Sequence, residues 1–162
     1  MKRLVAIVGL LAGLWLVAAP AAVAEEKDFG LHGWGLRFGV GDDPDQAVVG
    51  VQWDFGDIKP VHFEPNVEFS FGDDHLTLAG NFATHYRFRH VDRFRPYAGG
   101  ALGLALDRRE RPNGDDDTDL DIGMRAIGGF NWKVKSGREA FIELAVGLGY
   151  PFDAQIMAGW NF

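Results

Sequence analysis

The chain has 162 residues and no cysteine, which excludes disulfide stapling, thiolate catalysis and cysteine-ligated zinc outright. Serine is nearly absent too. Ser70 and Ser136 are the only two, so a serine nucleophile has to be one of them. Basic residues are in the minority, 16 against 23 acidic for a formal charge of −7, which argues against nucleic acid as a partner. Beyond residue 24 no apolar run is long enough for a transmembrane helix of about 20 residues, and no convincing helical period is found. If the folded part crosses a membrane, it must cross as a closed barrel, because only a closed sheet satisfies every backbone hydrogen bond in lipid.

The N-terminus is expected to lie outside the fold. Met1-Lys2-Arg3 is a short basic region, Leu4 to Ala19 is almost wholly apolar, and Ala22-Val23-Ala24 is a small-residue cleavage site before the polar Glu25-Glu26-Lys27. That order predicts a cleaved signal peptide over 1–24 and one mature domain over 25–162. Removing Lys2 and Arg3 takes the formal charge from −7 to −9. An uncleaved membrane anchor is the alternative.

From Phe29 onward, segments that alternate apolar and polar residues recur between clusters of Gly, Asp, Pro and Lys, the signature of strands. Eight are expected: Phe29–Val40, Ala47–Phe55, His62–Phe71, Leu76–Arg89, Arg95–Asp107, Asp119–Val134, Glu139–Gly149 and Asp153–Phe162. Pro65 cannot donate to a sheet ladder, so it belongs near the start of the third segment or at a bulge. The polar face changes parity across Asp73-Asp74, which calls for an even-length turn, and keeps it across Ser136-Gly137-Arg138, which calls for an odd one. The longest loop is expected from Arg108 to Thr118. An even number of strands of at least about 9–11 residues fits the smallest transmembrane barrels.

Periodicity yields two faces without saying which is inside. A soluble lipocalin-like barrel turns its apolar face inward, a membrane barrel outward. In a membrane, Arg37, Arg87 and Arg125 on the lipid side would cost about 2–4 kcal/mol each near the midplane, so the polar face must be the lumen. The membrane reading is favoured because the polar face is rich in glycine, and because Trp34, Trp53, Trp132, Trp160, Tyr86 and Phe162 fall near strand ends as an interfacial girdle does. The fold class expected is therefore all-β, an eight-stranded antiparallel up-and-down transmembrane barrel.

Four stretches carry a family resemblance: E-P-N-V-E-F-S-F-G-D-D (Glu64 to Asp74), R-P-Y-A-G-G-A-L-G-L (Arg95 to Leu104), G-G-F-N-W (Gly128 to Trp132) and the closing G-W-N-F (Gly159 to Phe162). With them the chain resembles small outer-membrane β-barrel proteins related to the OmpA transmembrane domain and the opacity-type surface antigens. Its end, with Ile156, Ala158, Trp160 and Phe162 at alternate positions, resembles the C-terminal assembly signal of such barrels. The resemblance implies a bacterial outer-membrane location, contact with membrane lipid and lipopolysaccharide, and delivery by the outer-membrane assembly machinery. It also implies periplasmic turns holding Lys59, Arg93, Lys135 and Arg138, with outer loops at Gly41–Gln46, Asp73-Asp74, Arg108–Thr118 and Tyr150–Phe152. Two departures from the resemblance are expected: no peptidoglycan-binding domain after the barrel, unlike OmpA, and loops shorter than those of opacity adhesins, which puts host-receptor binding in doubt.

The polar face assigns Arg37, Asp54, His62, Glu64, Glu68, His85, Arg87, Asp121, Arg125 and Glu143 to the lumen. Eight strands enclose a space that side chains just fill, and buried charges must pair, so a salt-bridged plug is expected rather than a pore. Glu64 with His85 or Arg87 is the favoured pair. Lipid A deacylases and palmitoyltransferases also use small barrels, with serine and histidine at the rim or outer wall. Here Ser70, His75 and Asp73 or Asp74 belong to an ordinary hairpin turn, and the deacylase-type His-x-Ser pair is missing. Asn113 to Asp119 looks like a calcium loop, but an EF-hand starting at Asp115 has Leu120 where glycine belongs and Ala126 where the closing glutamate belongs. No catalytic, cofactor or metal site is expected. Weak divalent-cation binding by that loop, beside Arg108, Arg109 and Arg111, is a subsidiary expectation.

Overall fold

A computed structural model describes residues 27–42, 45–72, 75–110, 116–135, 137–148 and 154–162. Nine strands follow in chain order: β1 (Lys27–Asp42), β2 (Gln46–Ile58), β3 (Val61–Phe63), β4 (Asn66–Gly72), β5 (His75–Arg87), β6 (Phe94–Glu110), β7 (Asp116–Lys133), β8 (Glu139–Leu148) and β9 (Ala154–Asn161). All pairings are antiparallel between neighbours, and β1 pairs with both β2 and β9, so the sheet closes on itself without an edge. β3 and β4 are two halves of one stave, which leaves eight staves.

The split comes from Pro65. Glu64 and Pro65 fall between the halves, yet the ladder is bridged: Trp53 N donates to Pro65 O at 2.9 Å, and Glu64 N donates to Ala83 O at 2.9 Å. The proline thus sits where its missing N–H breaks no bond. Across the expected two-residue turn, Gly72 pairs with His75. Across the expected odd turn, Lys133 pairs with Glu139, and Val134 N donates to Arg138 O at 2.9 Å.

One expectation needs correction. Residues 108–118 are not a loop throughout, because the β6–β7 ladder continues through Arg108↔Thr118, Arg109↔Asp117 and Glu110↔Asp116. The charges of Arg108 and Asp116 to Asp119 interrupt apolar alternation, which hid the strand, but a hairpin rising above the bilayer needs no apolar face. At 17 and 18 residues, these strands far exceed the length a bilayer requires. Two smaller revisions concern Gln46, which is a buried residue of β2 rather than part of a loop, and the end of β5, which falls at Arg87.

The distribution of side chains is inverted relative to a water-soluble protein. Among the described residues, sixteen buried side chains are polar or charged and ten are apolar. Leu102, Leu104, Ile122, Leu144 and Phe82 point outward and are each about half exposed or more. An apolar belt that encircles the wall exceeds what soluble monomers show to water, so the exterior is a lipid-facing surface and the soluble-barrel alternative falls. At the end that carries the turns after β2, β5 and β7, Trp34, Trp53, Trp132, Trp160, Tyr86 and Phe162 form one aromatic rim: Trp34 pairs with Trp53 and stacks on Phe162 with ring centroids 4.6 Å apart.

Candidate functional site

Every second residue of each stave points inward, and glycine and alanine on some staves make room for long side chains from others. At Gly99 a Cβ would stand 2.5 Å from the His85 backbone, and at Gly129 it would stand 2.6 Å from the Tyr97 ring. These two glycines, paired across the ladder with His85 and Tyr97, let those side chains lie flat against the adjacent stave. Interior contacts fall into three levels.

The middle level is a brace of alternating charges. Arg125 Nη1 donates to Glu68 Oε2 at 2.9 Å, Arg37 Nε lies 3.0 Å from Glu68 Oε1, and Arg37 Nη2 donates to Glu143 Oε1 at 2.8 Å. Tyr97 donates its hydroxyl to Glu143 Oε2 at 2.9 Å, Gln155 Oε1 accepts from Arg125 at 2.6 Å, and Gln52 Oε1 accepts from Arg37 at 3.3 Å. The two guanidinium groups balance the two carboxylates, which is what burial in low dielectric demands. Seven of the nine strands contribute a side chain, β1, β2, β4, β6, β7, β8 and β9, so the brace crosses the lumen from wall to wall. Arg37 also lies over the Phe141 ring, 5.9 Å from its centroid.

Towards the aromatic rim lies a second cluster. His62 Nδ1 is 2.8 Å from Asp57 Oδ1, and its Nε2 is 3.5 Å from Asp54 Oδ1 and hydrogen-bonded to Arg87. His85 Nε2 faces Glu64 Oε2 at 3.7 Å, beyond hydrogen-bond reach. The His62 and His85 rings are 4.9 Å apart, and His85 lies 4.6 Å from Tyr97. Gln52 and Asn161 both donate to Glu64 Oε1. Neither ring nitrogen of His85 makes a hydrogen bond, although the residue is 2% exposed. His62, Glu64 and His85 each offer a ligand atom, and these atoms all lie within 4.8 Å of one another.

On the other side of the brace the lumen holds Ala79 with Ala105, Val48 with Phe141 and Met157, the buried Gln46 and Ser70, and a Thr77–Asp107 hydrogen bond of 3.0 Å. Asp121 is half-buried on the inner face of β7, four residues nearer the loop end than Arg125.

The ten charged positions assigned to the lumen thus fall in separate places. Arg37, Glu68, Arg125 and Glu143 make the brace; Asp54, His62, Glu64, His85 and Arg87 make the rim cluster; Asp121 stands apart. Sequence reasoning left Tyr97, Asp57, Gln52, Gln155 and Asn161 out of the candidate set. Tyr97, Gln52, Gln155 and Asn161 have inward parity but carry no charge that demands a partner, and Asp57 falls beyond Phe55, where the second segment was expected to end. The serine candidates give no catalytic geometry among the described residues: Ser70 is fully buried in β4, facing the lumen, and Ser136, Asp73 and Asp74 lie outside the described residues, as does the side chain of His75.

No family model matches the sequence, and no curated protein matches it. Solved structures do. The chain is similar to the crystal structure of Neisserial surface protein A, with 12% identity, a TM-score of 0.64, and coverage of 80% of this chain and 93% of that one. The outer membrane enzyme PagL aligns with 16% identity and a TM-score of 0.49 over 80% of this chain and 96% of that one. The de novo designed TMB2.3 aligns with 14% identity and a TM-score of 0.45 over 84% and 97%. The first likeness shows the fold: this is an eight-stranded transmembrane β-barrel.

Proposed function

We propose that this barrel is an integral protein of the bacterial outer membrane that serves as a structural or surface-exposed element, with its lumen held shut by the brace and no catalytic site. The observation that carries the reading is the wall-to-wall chain Arg125–Glu68–Arg37–Glu143–Tyr97. An eight-stranded lumen has room for little besides its own side chains, and here these are locked to one another. A narrow pore would have to break buried ion pairs to conduct.

The apolar belt supports this location, as does the segment expected to be a cleaved signal peptide. The name Neisserial surface protein A describes a surface role for a protein of this fold, and the acidic segments of the loop end suit the same role here. Partners in this reading are membrane lipid and lipopolysaccharide on the outer wall. The assembly machinery is the third partner, reading the outward residues of β9, Ile156, Ala158 and Trp160, with Phe162 after them. Ser70 supports no lipid A-modifying activity, since a nucleophile for lipid belongs at the rim or outer wall and this one is buried in the lumen.

Cell fractionation combined with a heat-modifiability gel tests location and fold together: the folded chain is expected in the outer membrane, migrating faster before boiling than after. Recovery from the soluble periplasm overturns the reading. In planar bilayers the reconstituted chain is expected to give no steady conductance, and an ohmic channel would overturn the closed lumen. An unaltered lipid A mass profile on overexpression is expected; a mass shift abolished by Ser70→Ala would establish the enzyme instead.

A further inference from the structure

Two features of the rim cluster are unexplained by a plug. The brace is charge-balanced and hydrogen-bonded, yet a few ångströms away His85 is buried with both ring nitrogens unpartnered. A buried polar group without a partner costs free energy that an apolar residue in its place would not. Its Nε2 points at Glu64 Oε2 from 3.7 Å, a separation too long for a hydrogen bond and near the distance between two ligands of one metal ion. Bonds of about 2.0–2.2 Å to zinc place two ligand atoms roughly 3–4 Å apart.

We propose that His62, Glu64 and His85 form a binding site for a divalent transition-metal ion of the zinc class at the turn end of the lumen. His62 Nε2, His85 Nε2 and Glu64 Oε2 supply two imidazoles and one carboxylate, a donor set that suits zinc and its borderline neighbours rather than magnesium or calcium. Their ligand atoms lie within 4.8 Å of one another, so small side-chain rotations bring them onto one ion. The outer contacts have the form such sites use. Asp57 Oδ1 is 2.8 Å from His62 Nδ1; a proton on Nδ1 donated to that carboxylate fixes the tautomer and leaves Nε2 as the ligand atom. Asp54, 3.5 Å from the same Nε2, is placed to act as a fourth ligand. Gln52 and Asn161 orient the glutamate by donating to its other oxygen.

An entry path exists. Asp54 and Asp57 are 25% and 36% exposed by side chain while His62 beneath them is 1% exposed, so the acidic pair lines a mouth and the ligands lie one layer below it. Arg87 is the competitor: its guanidinium donates to His62 Nε2 and holds the place of a cation there. Metal binding therefore has to displace one positively charged partner by another.

The test titrates the full-length chain, folded in detergent, with zinc chloride by calorimetry and with cobalt chloride by visible absorption. One saturable site per chain is expected, with cobalt bands of low coordination number. His85→Ala is expected to abolish the saturable step while the barrel still shifts on a heat-modifiability gel, and Asp57→Asn to weaken binding about 10–100-fold. Arg87→Gln is expected to bind more tightly than the parent because it frees His62 Nε2. His32→Ala and His90→Ala, which alter exposed histidines outside the lumen, are expected to bind as the parent does. The proposal is overturned if the folded parent shows no saturable binding, if His85→Ala binds as the parent does, or if Arg87→Gln binds less tightly.

Discussion

Arg37 and Glu143 stand 106 positions apart in the chain, and their side chains meet 2.8 Å apart in the middle of the lumen, 5% and 7% exposed. Between them they also hold Glu68 and Tyr97, so neither can leave without orphaning a buried charge. Arg37→Ala, which strips Glu68 and Glu143 of their shared cation, is expected to destabilise the barrel by about 3–5 kcal/mol. Urea unfolding of the chain folded in detergent, read by a gel shift, measures this. Adding Glu143→Leu to Arg37→Met is expected to recover part of that loss, since an apolar pair of similar volume replaces buried ions at little cost. A double variant as unstable as the sum of its parts would mean that the two residues do not interact.

Tyr97→Phe removes one hydrogen bond to a charged acceptor and nothing else, and is expected to cost about 1.5–3 kcal/mol. Gly129→Ala attacks the same contact from the other side: its Cβ would stand 2.6 Å from the Tyr97 hydroxyl and against the Ile142 backbone carbonyl. It is expected to destabilise by about 1–3 kcal/mol, as overpacking does. The informative measurement is the double variant. With the hydroxyl already removed, Gly129→Ala should cost less than it does in the parent.

How much of this the sequence carries depends on the kind of signal. The wall was legible because its alternation is forced: a residue such as Leu102 between Ala101 and Gly103 has to face lipid if its neighbours face the lumen. The β6–β7 extension was not, because Arg108 and Asp117 lie where neither lipid nor lumen imposes a pattern. Inward charges such as Arg37 and Glu143 were legible as a set, since parity marks them, but pairing depends on strand tilt and stagger. Those bring β1 level with β8 in one place and Glu64 level with His85 in another, and no local spacing records them. Tyr97 faces inward on a stave of glycine and alanine, and its role emerged only from the acceptor opposite.

Leu102→Arg tests which side of the wall faces lipid. Leu102 is 59% exposed and central in β6, so a charge there would lie near the bilayer midplane, at a cost of about 2–4 kcal/mol. The variant is expected to fold into lipid vesicles with a correspondingly lower urea midpoint. In a barrel whose outer face met water the same change would be neutral, so an unaltered midpoint would contradict the membrane assignment.

Phe162 stacks on Trp34 at 4.6 Å, accepts the Arg138 guanidinium over its ring at 4.4 Å, and donates its backbone N–H to Trp34 O at 2.8 Å. Its contacts close the seam between the last stave and the first. Phe162→Ala keeps the backbone bond and loses the ring contacts, for an expected loss of about 1–2 kcal/mol. Trp34→Ala loses the same stack from the other partner and should cost at least as much in urea unfolding. The two part company in cells if the assembly machinery reads the side chain of Phe162 as well as its strand. Quantified in outer-membrane fractions, Phe162→Ala is then expected to fall several-fold below Trp34→Ala. Equal levels would make Phe162 a seam residue like its partner and remove the case for its recognition during assembly.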